Sequence, residues 1–353
     1  MTDQDQQQAG RQPVLEAVGL TKHFEVTDRF GQTKLVRALE EADLALHPGK
    51  TVGLVGESGS GKTTLARLLA LFHPATSGEI KLDGRPVSHS KDGERDYYRQ
   101  VQLIFQDPFA SLNPLKTVRY TLGRALRIHG HARKGADLED KIIELLGKVN
   151  LTPAETFIDK LPHELSGGQR QRVVIARALA VQPKVLLGDE PISMLDVSIR
   201  LDVLNLLANL RDSEDLALLY ITHDIASARY LCDSITVLYA GQLVEGGPVD
   251  AVIQQPRHPY TRLLLDSSPD PGRTVTAEGR RAGLFELEGS LGEPPNLSDP
   301  PPGCRFHPRC PFAMDECRTE LPARTEFPDG HWARCWLHQK QQSHLLQLDE
   351  EKR

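Results

Sequence analysis

Five short apolar runs, each bounded by polar or turn-forming residues, dominate the middle of the chain. They have the length of β-strands, and because apolar residues fill both alternate positions, both faces of each strand are predicted to be buried. Such strands are typical of a mostly parallel sheet that helices cover on both sides. The runs are TVGLVG (51–56), VQLIF (101–105), KVLLGD (184–189), LALLYITH (216–223) and SITVLYAG (234–241).

Between the second and third runs, residues 107–180 follow a helical pattern. In the stretch DKIIELLGKV, Ile142, Leu145, Leu146 and Val149 recur at the spacing that places side chains on one face of a helix. The pattern therefore predicts a helical subdomain at 107–180, inserted into an α/β unit. No apolar run approaches the roughly 18 residues that a membrane-spanning helix needs.

The composition changes along the chain and divides it into four parts. A polar start (1–13) is predicted to be flexible, and residues 14–268 carry the strand and helix pattern. Residues 269–303 are rich in Pro, Gly and Ser, which predicts an extended linker. A cysteine-rich C-terminal domain is predicted for residues 304–353.

Charge and cysteine content narrow the classes of function. The formal net charge of the 353-residue chain is −6, so the clustered basic surface of a nucleic-acid-binding protein is not indicated. The first residues lack the basic and apolar regions of a secretory signal, which predicts a cytoplasmic protein with reduced thiols. Four of the five cysteines nevertheless lie close together near the C-terminus. A metal site is therefore favoured over disulfides.

The stretch GESGSGKT (56–63) follows the first apolar run and precedes the helical segment TLARLLA. Strand, glycine-rich loop and helix in this order form a phosphate-binding loop, in which backbone N–H groups and the helix N-terminus surround an anion. Lys62 is predicted to reach the β- and γ-phosphates of ATP, and the Thr63 hydroxyl to bind Mg²⁺. The residues predicted to bind the nucleotide here are Gly56, Ser58, Gly59, Ser60, Gly61, Lys62, Thr63 and Thr64.

Two later strands end in residues suited to ATP hydrolysis. KVLLGDE (184–190) ends in two carboxylates, of which Asp189 is predicted to bind Mg²⁺ and Glu190 to polarise the attacking water. The run 216–223 ends in His223, a residue that in isolation is more often structural than catalytic. A catalytic interpretation of these three side chains is favoured only because the chain also contains the phosphate loop.

A third motif, ELSGGQ, begins a further helical segment. Ser166 is suited to cap a helix whose first residues, Gly167 and Gly168, leave backbone N–H groups exposed to an anion. With these motifs in this order, residues 14–268 resemble the ATP-binding cassette (ABC) ATPases. The resemblance implies a P-loop α/β fold, with a RecA-like core and with antiparallel β and helical subdomains, followed here by the small cysteine-rich domain.

The resemblance also implies roles for individual residues. Phe24 matches the aromatic residue that stacks on adenine, and Gln106 matches the glutamine that contacts Mg²⁺ or water and couples to membrane partners. His223 matches the switch histidine, and SMLD (193–196) matches the loop called the D-loop, with Ile192 and Met194 departing from the usual residues. The signature that binds the nucleotide of a second subunit corresponds to Leu165, Ser166, Gly167, Gly168 and Gln169.

Three flanking stretches narrow the resemblance to the ATPase subunits of oligopeptide and dipeptide importers. They are FQDPFASLNP (105–114), LPHELSGGQRQR (161–172) and QPRHPYTRLLLDSSP (255–269). The resemblance implies a second, paralogous ATPase subunit, two membrane permeases, an external solute-binding protein and a place at the cytoplasmic face of the membrane. Importers of nickel or oligosaccharides have the same architecture, and a soluble ABC ATPase acting on DNA or ribosomes is the alternative from another class. An inactive regulatory cassette would lack Lys62, Glu190 or His223, which are present.

The tail cysteines have the spacing C-x₅-C-x₆-C-x₁₇-C, without the C-x-x-C element that is typical of structural zinc sites. An iron–sulfur cubane is wider than one ion and tolerates looser spacing. The resemblance to peptide importers implies a [4Fe–4S] cluster, while zinc, with His307 or His331 as further ligands, and metal-free thiols are the alternatives. Cys232 lies apart and is predicted to be a small buried residue. The predicted cluster ligands are Cys304, Cys310, Cys317 and Cys335.

Overall fold

In the computed structural model, the chain forms two sheets with helices packed around the larger one. The structure describes residues 12–27, 31–88, 90–132, 135–267 and 292–339. Most of the predicted flexible start, most of the predicted linker and the last residues of the predicted C-terminal domain lie outside these ranges.

The strands fall into two sheets with different pairing. In chain order they are β1 (Leu15–Thr27), β2 (Thr33–Leu46), β3 (Thr51–Val55), β4 (Ser77–Leu82), β5 (Arg85–Pro86), β6 (Val101–Ile104), β7 (Val185–Asp189), β8 (Ala217–Thr222), β9 (Ser234–Tyr239), β10 (Gln242–Pro248), β11 (Thr325–Glu326) and β12 (Trp332–Ala333). An antiparallel sheet has the order β2-β1-β4-β5, and the main sheet has the order β11-β12-β10-β9-β3-β8-β7-β6. The five predicted apolar runs are β3, β6, β7, β8 and β9, and they pair in parallel. The mostly parallel sheet is thus confirmed.

Helices surround the main sheet and fill the region between β6 and β7. They are α1 (Lys62–Leu69), α2 (Lys91–Gln100), α3 (Pro108–Ser111), α4 (Val118–Ile128), α5 (Ala136–Lys148), α6 (Gly167–Leu179), α7 (Val197–Glu214), α8 (Ile225–Leu231), α9 (Val249–Gln254) and α10 (Pro259–Asp266). Four of them, α3 to α6, form the helical region predicted between β6 and β7. Along the described parts of the chain, no helix is both long and apolar enough to cross a membrane.

The central strands of the main sheet are buried on both faces, which explains why apolar residues occur at both alternate positions along them. Alternate residues of β7 face opposite ways: Leu187 joins a core with α1 and the antiparallel sheet. Leu186 joins a second core with α4, α5, α6 and α7. Burial of this kind contributes about 25 cal/mol per Å² of apolar surface. It fixes the strand ends that carry the polar residues of the site.

The cysteine-bearing tail packs directly on this core. Strand β12 pairs antiparallel with β10, so that the tail extends the edge of the main sheet. Cys304, Phe306 and Cys317 are buried in the same apolar core as the helical region. Ahead of the tail, within the predicted linker, the Leu297 carbonyl accepts a hydrogen bond from the Arg37 N–H at 2.8 Å. The tail is therefore anchored by sheet pairing and apolar burial. These contacts stabilise its position independently of any metal.

Candidate nucleotide site and cysteine cluster

Four neighbouring parallel strands end at the same edge of the main sheet. The register aligns Val55 of β3 with Thr222 of β8, and Ile221 of β8 with Asp189 of β7. At this edge lie the polar residues that end or follow the four strands: the loop 56–61 after β3, Gln106 after β6, Asp189 and Glu190 at the end of β7, and His223 after β8. Residues from four distant parts of the sequence meet there because the carboxyl ends of parallel strands form one edge, the usual ligand site of such sheets.

The phosphate loop runs from β3 to α1 with a backbone that only glycine fits at two positions. Gly61 has a φ of 109°, and a Cβ on it would lie 2.5 Å from the Ala38 carbonyl oxygen. A Cβ on Gly56 would lie 2.2 Å from the Leu238 carbonyl oxygen. The predicted residues Ser58 and Gly59 are exposed on the loop, and Ser60 is buried. The loop therefore follows the neighbouring backbone closely, while its tip stays open to a ligand.

Lys62 is held inside the loop by two backbone carbonyls. Its side chain is 5% exposed, and its Nζ donates hydrogen bonds of 2.8 Å to the carbonyls of Gly56 and Glu57. Burial lowers the pKa of Lys62, while the carboxylates of Glu190, Asp189 and Glu57 oppose that shift. The ammonium is thus surrounded by negative groups at the place where phosphates are predicted to bind.

Thr63 and Asp189 meet beside Lys62. The Thr63 hydroxyl donates to Asp189 Oδ1 at 3.1 Å. Burial raises the pKa of Asp189, the Thr63 hydrogen bond opposes this, and the charge of Glu190 raises the pKa further. A hydroxyl and a carboxylate in contact are the oxygen ligands that Mg²⁺ prefers, so these residues fit the predicted ion. Thr64 follows in α1 and is half-buried.

Glu190 is contacted by both of its predicted catalytic partners. Gln106 Nε2 donates to its Oε2 at 2.9 Å, and His223 Nδ1 lies 3.3 Å from its Oε1. The residue has a φ of 48°, in the left-handed region, and its N–H donates to the Ile221 carbonyl of β8. Backbone strain of this kind is common at functional sites, and here it turns the carboxylate towards the other two side chains.

The predicted signature forms the start of α6. Ser166 and Gln169 bond reciprocally: the Gln169 N–H donates to Ser166 Oγ at 3.3 Å, and the Ser166 N–H donates to Gln169 Oε1 at 3.0 Å. Gly168 is packed so closely that a Cβ on it would lie 2.6 Å from Ile199. Across the described ranges, no hydrogen bond or ion pair joins residues 165–169 to the phosphate loop. No polar contact among the described residues therefore connects these two motifs within one chain.

Phe24, the predicted adenine-stacking residue, lies half-buried in β1. Its ring meets the ring of His73 edge to face, with centroids 5.3 Å apart, and Lys22 Nζ lies 4.9 Å from its centroid. His73 follows α1, the helix that begins at the phosphate loop. Phe24 is thus connected to the nucleotide loop through the far end of α1.

The four tail cysteines are neighbours in space. The pKa of the Cys304 thiol is raised to about 12, mainly by burial, and the other three tail cysteines raise it further. Burial also raises the pKa of Cys335 to about 12 and that of Cys310 to about 11, with Cys317 adding to both shifts. Nevertheless, no three His, Cys, Asp or Glu side chains in the described ranges lie close enough together to hold a single metal ion.

The sulfur of Cys317 accepts a backbone hydrogen bond from the Met314 N–H at 3.5 Å. A peptide N–H beside a sulfur stabilises negative charge on it, and the thiolate is the form in which cysteine binds a metal. At Cys304, Cys310 and Cys335, burial raises the pKa, and the backbone N–H groups of Phe306, Phe312 and Leu337, respectively, lower it by less. Burial and nearby N–H groups therefore act in opposite directions on these thiols, and burial has the larger effect on their pKa values.

The two histidines that the sequence suggested as zinc ligands are not the one that lies beside a cysteine sulfur. His331 Nε2 pairs with Glu245 Oε1 at 2.6 Å, and His307 Nδ1 lies 3.0 Å from the Cys304 carbonyl, so both rings have partners other than thiols. The buried His258 lies closer, with its Nε2 3.8 Å from Cys304 Sγ. Burial lowers the pKa of His258 to about 4, so the ring is neutral at pH 7. Its only signal in the sequence was its place in the HPYTRLLL stretch.

Comparisons with known proteins identify the family of the chain. Residues 39–193 match the family model described as ABC transporter, and residues 244–317 match the model described as oligopeptide/dipeptide transporter, C-terminal region. A dimeric bacterial ABC transporter cassette of known structure has a TM-score of 0.59 at 27% identity, covering 67% of this chain and 98% of that one. The fold and the site together define the class: an ABC-type P-loop ATPase.

Longer similarities identify the branch within that class. The di/tripeptide transport ATP-binding protein DppF of Pseudomonas aeruginosa is 42% identical over 88% of this chain and 93% of its own length. The oligopeptide transport ATP-binding protein AppF of Bacillus subtilis is 36% identical over 94% of this chain and 99% of its own length. The chain belongs to the oligopeptide/dipeptide family of ABC transporter ATP-binding proteins.

Proposed function

We propose that the chain binds and hydrolyses ATP to power the import of oligopeptides or dipeptides through an ABC transporter. The observation that carries the proposal is the contact of Glu190 with both Gln106 and His223 beside the phosphate loop. The match of residues 244–317 to the C-terminal region of peptide transporters supports the cargo.

In this proposal, the residues at the sheet edge divide the work of hydrolysis. Lys62 exchanges the carbonyls of Gly56 and Glu57 for the β- and γ-phosphate oxygens of ATP. Thr63 and Asp189 would hold Mg²⁺, and the bound ion would supply positive charge to neutralise the phosphates. Glu190 accepts the proton of the attacking water, and Gln106 and His223 hold its carboxylate in place.

A second ATPase subunit completes the site. The signature at 165–169 does not reach the phosphate loop of its own chain, so we expect it to contact the nucleotide of a partner cassette. Met194 of the D-loop and Val197, which follows that loop, are 56% and 80% exposed, as suits an apolar surface that a partner covers. The similar bacterial cassette is described as dimeric. We propose a paralogous chain as the partner.

The helical region offers a surface for the permeases. A cleft of about 580 Å³ lies between α4, the segment after Gln106 and the end of α6. Apolar and polar groups both line it, including Tyr120, Ile128 and Asn113. Such a concave surface suits a short helix from a membrane subunit. Docking there places the chain at the cytoplasmic face of the membrane, with the solute-binding protein on the other side.

One contact connects this surface to the signature. Phe109 of α3, which follows Gln106 closely in sequence, lies under the guanidinium of Arg170, with Cζ 3.8 Å from the ring centroid. Arg170 belongs to α6, the helix that begins at the signature. A permease that moves α3 would therefore act on the catalytic glutamine and on the signature helix together.

The docking surface is tested by placing a charge in the cleft. We expect Ile128→Asp to lower the recovery of the permeases with the tagged chain by about 10-fold, because interface residues at such positions contribute more than 1 kcal/mol. ATP binding should stay normal. Val26→Asp is the matched control, since Val26 is 50% exposed on the antiparallel sheet and Ile128 is 51% exposed. Equal permease recovery with both variants would contradict the assignment.

For the tail, we propose a [4Fe–4S] cluster held by Cys304, Cys310, Cys317 and Cys335. The proposal is supported by the proximity of Cys304 to the other three tail cysteines and by the Met314 N–H that Cys317 accepts. It is supported also by the sequence spacing, which lacks the C-x-x-C element of zinc sites. The cluster would add a covalent link between parts of the tail, and no electron-transfer role is proposed for it.

Metal analysis after anaerobic purification tests the cluster. We expect about four iron and four sulfide per chain, and loss of most of both in Cys310→Ser, because a cubane needs a ligand at each corner. Cys310 is the most exposed of the four, so its replacement disturbs packing least. Cys232→Ala, which removes the remaining cysteine, should keep its iron. Stoichiometric zinc without iron would refute the cluster.

A further inference from the structure

One arginine joins the cysteine-bearing tail to the phosphate loop. Arg309, which precedes Cys310, places Nη1 and Nη2 3.1–3.3 Å from the carboxylate oxygens of Glu57. Its Nη1 also donates to the Tyr239 hydroxyl at 3.2 Å. The side chains of Arg309 and Glu57 are only 11% and 27% exposed. A forked contact between a guanidinium and a carboxylate, partly shielded from water, is among the stronger polar contacts in proteins.

Glu57 occupies the second position of the phosphate loop and is held from a second direction. Its N–H donates to the Tyr260 hydroxyl at 2.8 Å. Tyr260 belongs to α10 and is fully buried, with its ring against Phe306 of the tail and Tyr239 of β9. Both the side chain and the peptide N–H of Glu57 are therefore bonded to residues outside the loop.

The tail itself is firmly placed behind the loop. Arg305 is 2% exposed, and its guanidinium bonds to the Ala240 carbonyl and, at 2.6 Å, to the Glu40 carboxylate. Gly241, the residue after Ala240, donates its N–H to the Ser60 carbonyl of the phosphate loop at 2.7 Å. The segment that precedes Arg309 is thus anchored to the backbone that supports the phosphate loop. These contacts fix the position of the Arg309 backbone relative to that loop.

We propose that Arg309 is a positioning residue for nucleotide binding, which acts by fixing Glu57 at the start of the phosphate loop. When Lys62 turns to the phosphates, the carbonyls of Gly56 and Glu57 lose its hydrogen bonds. The contacts from Arg309 and Tyr260 remain and keep the first peptide units in the shape that the phosphates require. Holding a loop in its bound conformation raises affinity because less order must be created on binding.

Bound nucleotide should in turn stabilise the tail. If ordering of residues 304–310 strengthens nucleotide binding, then bound nucleotide must stabilise the tail to the same extent, since coupling between two sites is reciprocal. The proposal goes beyond hydrolysis and transport, and it depends neither on the cargo nor on the metal in the tail.

The test uses the full chain and measures the Kd of ATP with Mg²⁺ by calorimetry. We expect Arg309→Ala to raise the Kd about 10-fold, in the range of the coupling between sites seen in proteins. ATPase activity at saturating ATP should be nearly unchanged, so KM rises while kcat does not. Arg309→Lys should recover part of the affinity, because the charge returns without the fork.

A matched control separates this role from general damage to the tail. Arg318 is also an arginine next to a tail cysteine, Cys317, but its side chain is exposed. Arg318→Ala should bind ATP like the unmodified chain. Iron content and Tm are measured for each variant. Reduced Tm with an unchanged Kd in Arg309→Ala would mean that Arg309 only stabilises the fold, and the proposal would be wrong.

A double-mutant cycle tests whether Arg309 affects ATP binding through its contact with Glu57. Glu57→Gln should weaken ATP binding, and Glu57→Gln with Arg309→Ala should weaken it no more than the larger single effect, because both remove one contact. Additive effects would overturn the proposal. If Arg309→Ala fails to fold, the comparison of Arg309→Lys with Glu57→Gln decides instead: an unchanged Kd in both would overturn it as well.

Discussion

Replacing Glu190 with glutamine is expected to suppress ATP turnover by about 10²-fold or more while ATP binding is retained. Glutamine keeps the shape of the side chain and can keep a hydrogen bond to His223, but it cannot accept a proton from water. Because the bound ATP then persists, the two cassettes should remain together as a closed dimer.

Phosphate release measures the turnover, and size-exclusion chromatography with ATP and Mg²⁺ measures the dimer. Glu155→Gln serves as the control, since Glu155 is an exposed carboxylate of the helical region. It should hydrolyse ATP normally and should not accumulate as a dimer. An unchanged rate in Glu190→Gln would show that Glu190 is not the general base.

Removing the side chain of Lys62 is expected to have the largest effect on nucleotide binding. Hydrogen bonds to charged groups contribute about 1.5–3 kcal/mol each, and Lys62 is predicted to contact two phosphates. Lys62→Ala should therefore raise the Kd of ATP by about 10²-fold or more. The replacement also removes the bonds that Lys62 makes to Gly56 and Glu57 without nucleotide, so the unliganded loop should become more mobile.

Calorimetry with ATP and with AMP makes the Lys62 experiment specific. AMP lacks the β- and γ-phosphates, so its weak binding should not depend on Lys62. Lys50→Ala is the control, because Lys50 pairs with Asp233 at the opposite end of β3. ATP affinity that survives in Lys62→Ala would contradict the assignment of the loop.

The sequence predicted best what is encoded locally. The strand–loop–helix at 51–69 and the strand ending at Asp189 were recognisable because each depends on a few consecutive residues. The bounds of the parallel strands differ from the apolar runs by one or two residues, since each run includes a residue or two beyond the paired part of its strand. The antiparallel sheet followed only from the family resemblance, because the long strands β1 and β2 mix buried and exposed positions with several register shifts.

Contacts between distant parts of the chain could not be predicted in the same way. Arg309 and Glu57 are 252 positions apart, and neither is unusual in its local sequence. Strand β12 has two residues, too few for any periodic pattern, and its place on β10 depends on the edge that the folded sheet offers. The tail therefore looked like a separate unit in sequence, although burial against the core determines where its cysteines lie.

The central claim is that ATP hydrolysis by this chain drives peptides into the cell. The most direct measurement places the chain, its partner ATPase and the two permeases in proteoliposomes and follows uptake of a labelled dipeptide delivered by the solute-binding protein. Uptake should require ATP on the cassette side and should be absent with Glu190→Gln. Steady ATP hydrolysis without peptide uptake, accompanied by uptake of nickel or an oligosaccharide under the same conditions, would contradict the claim.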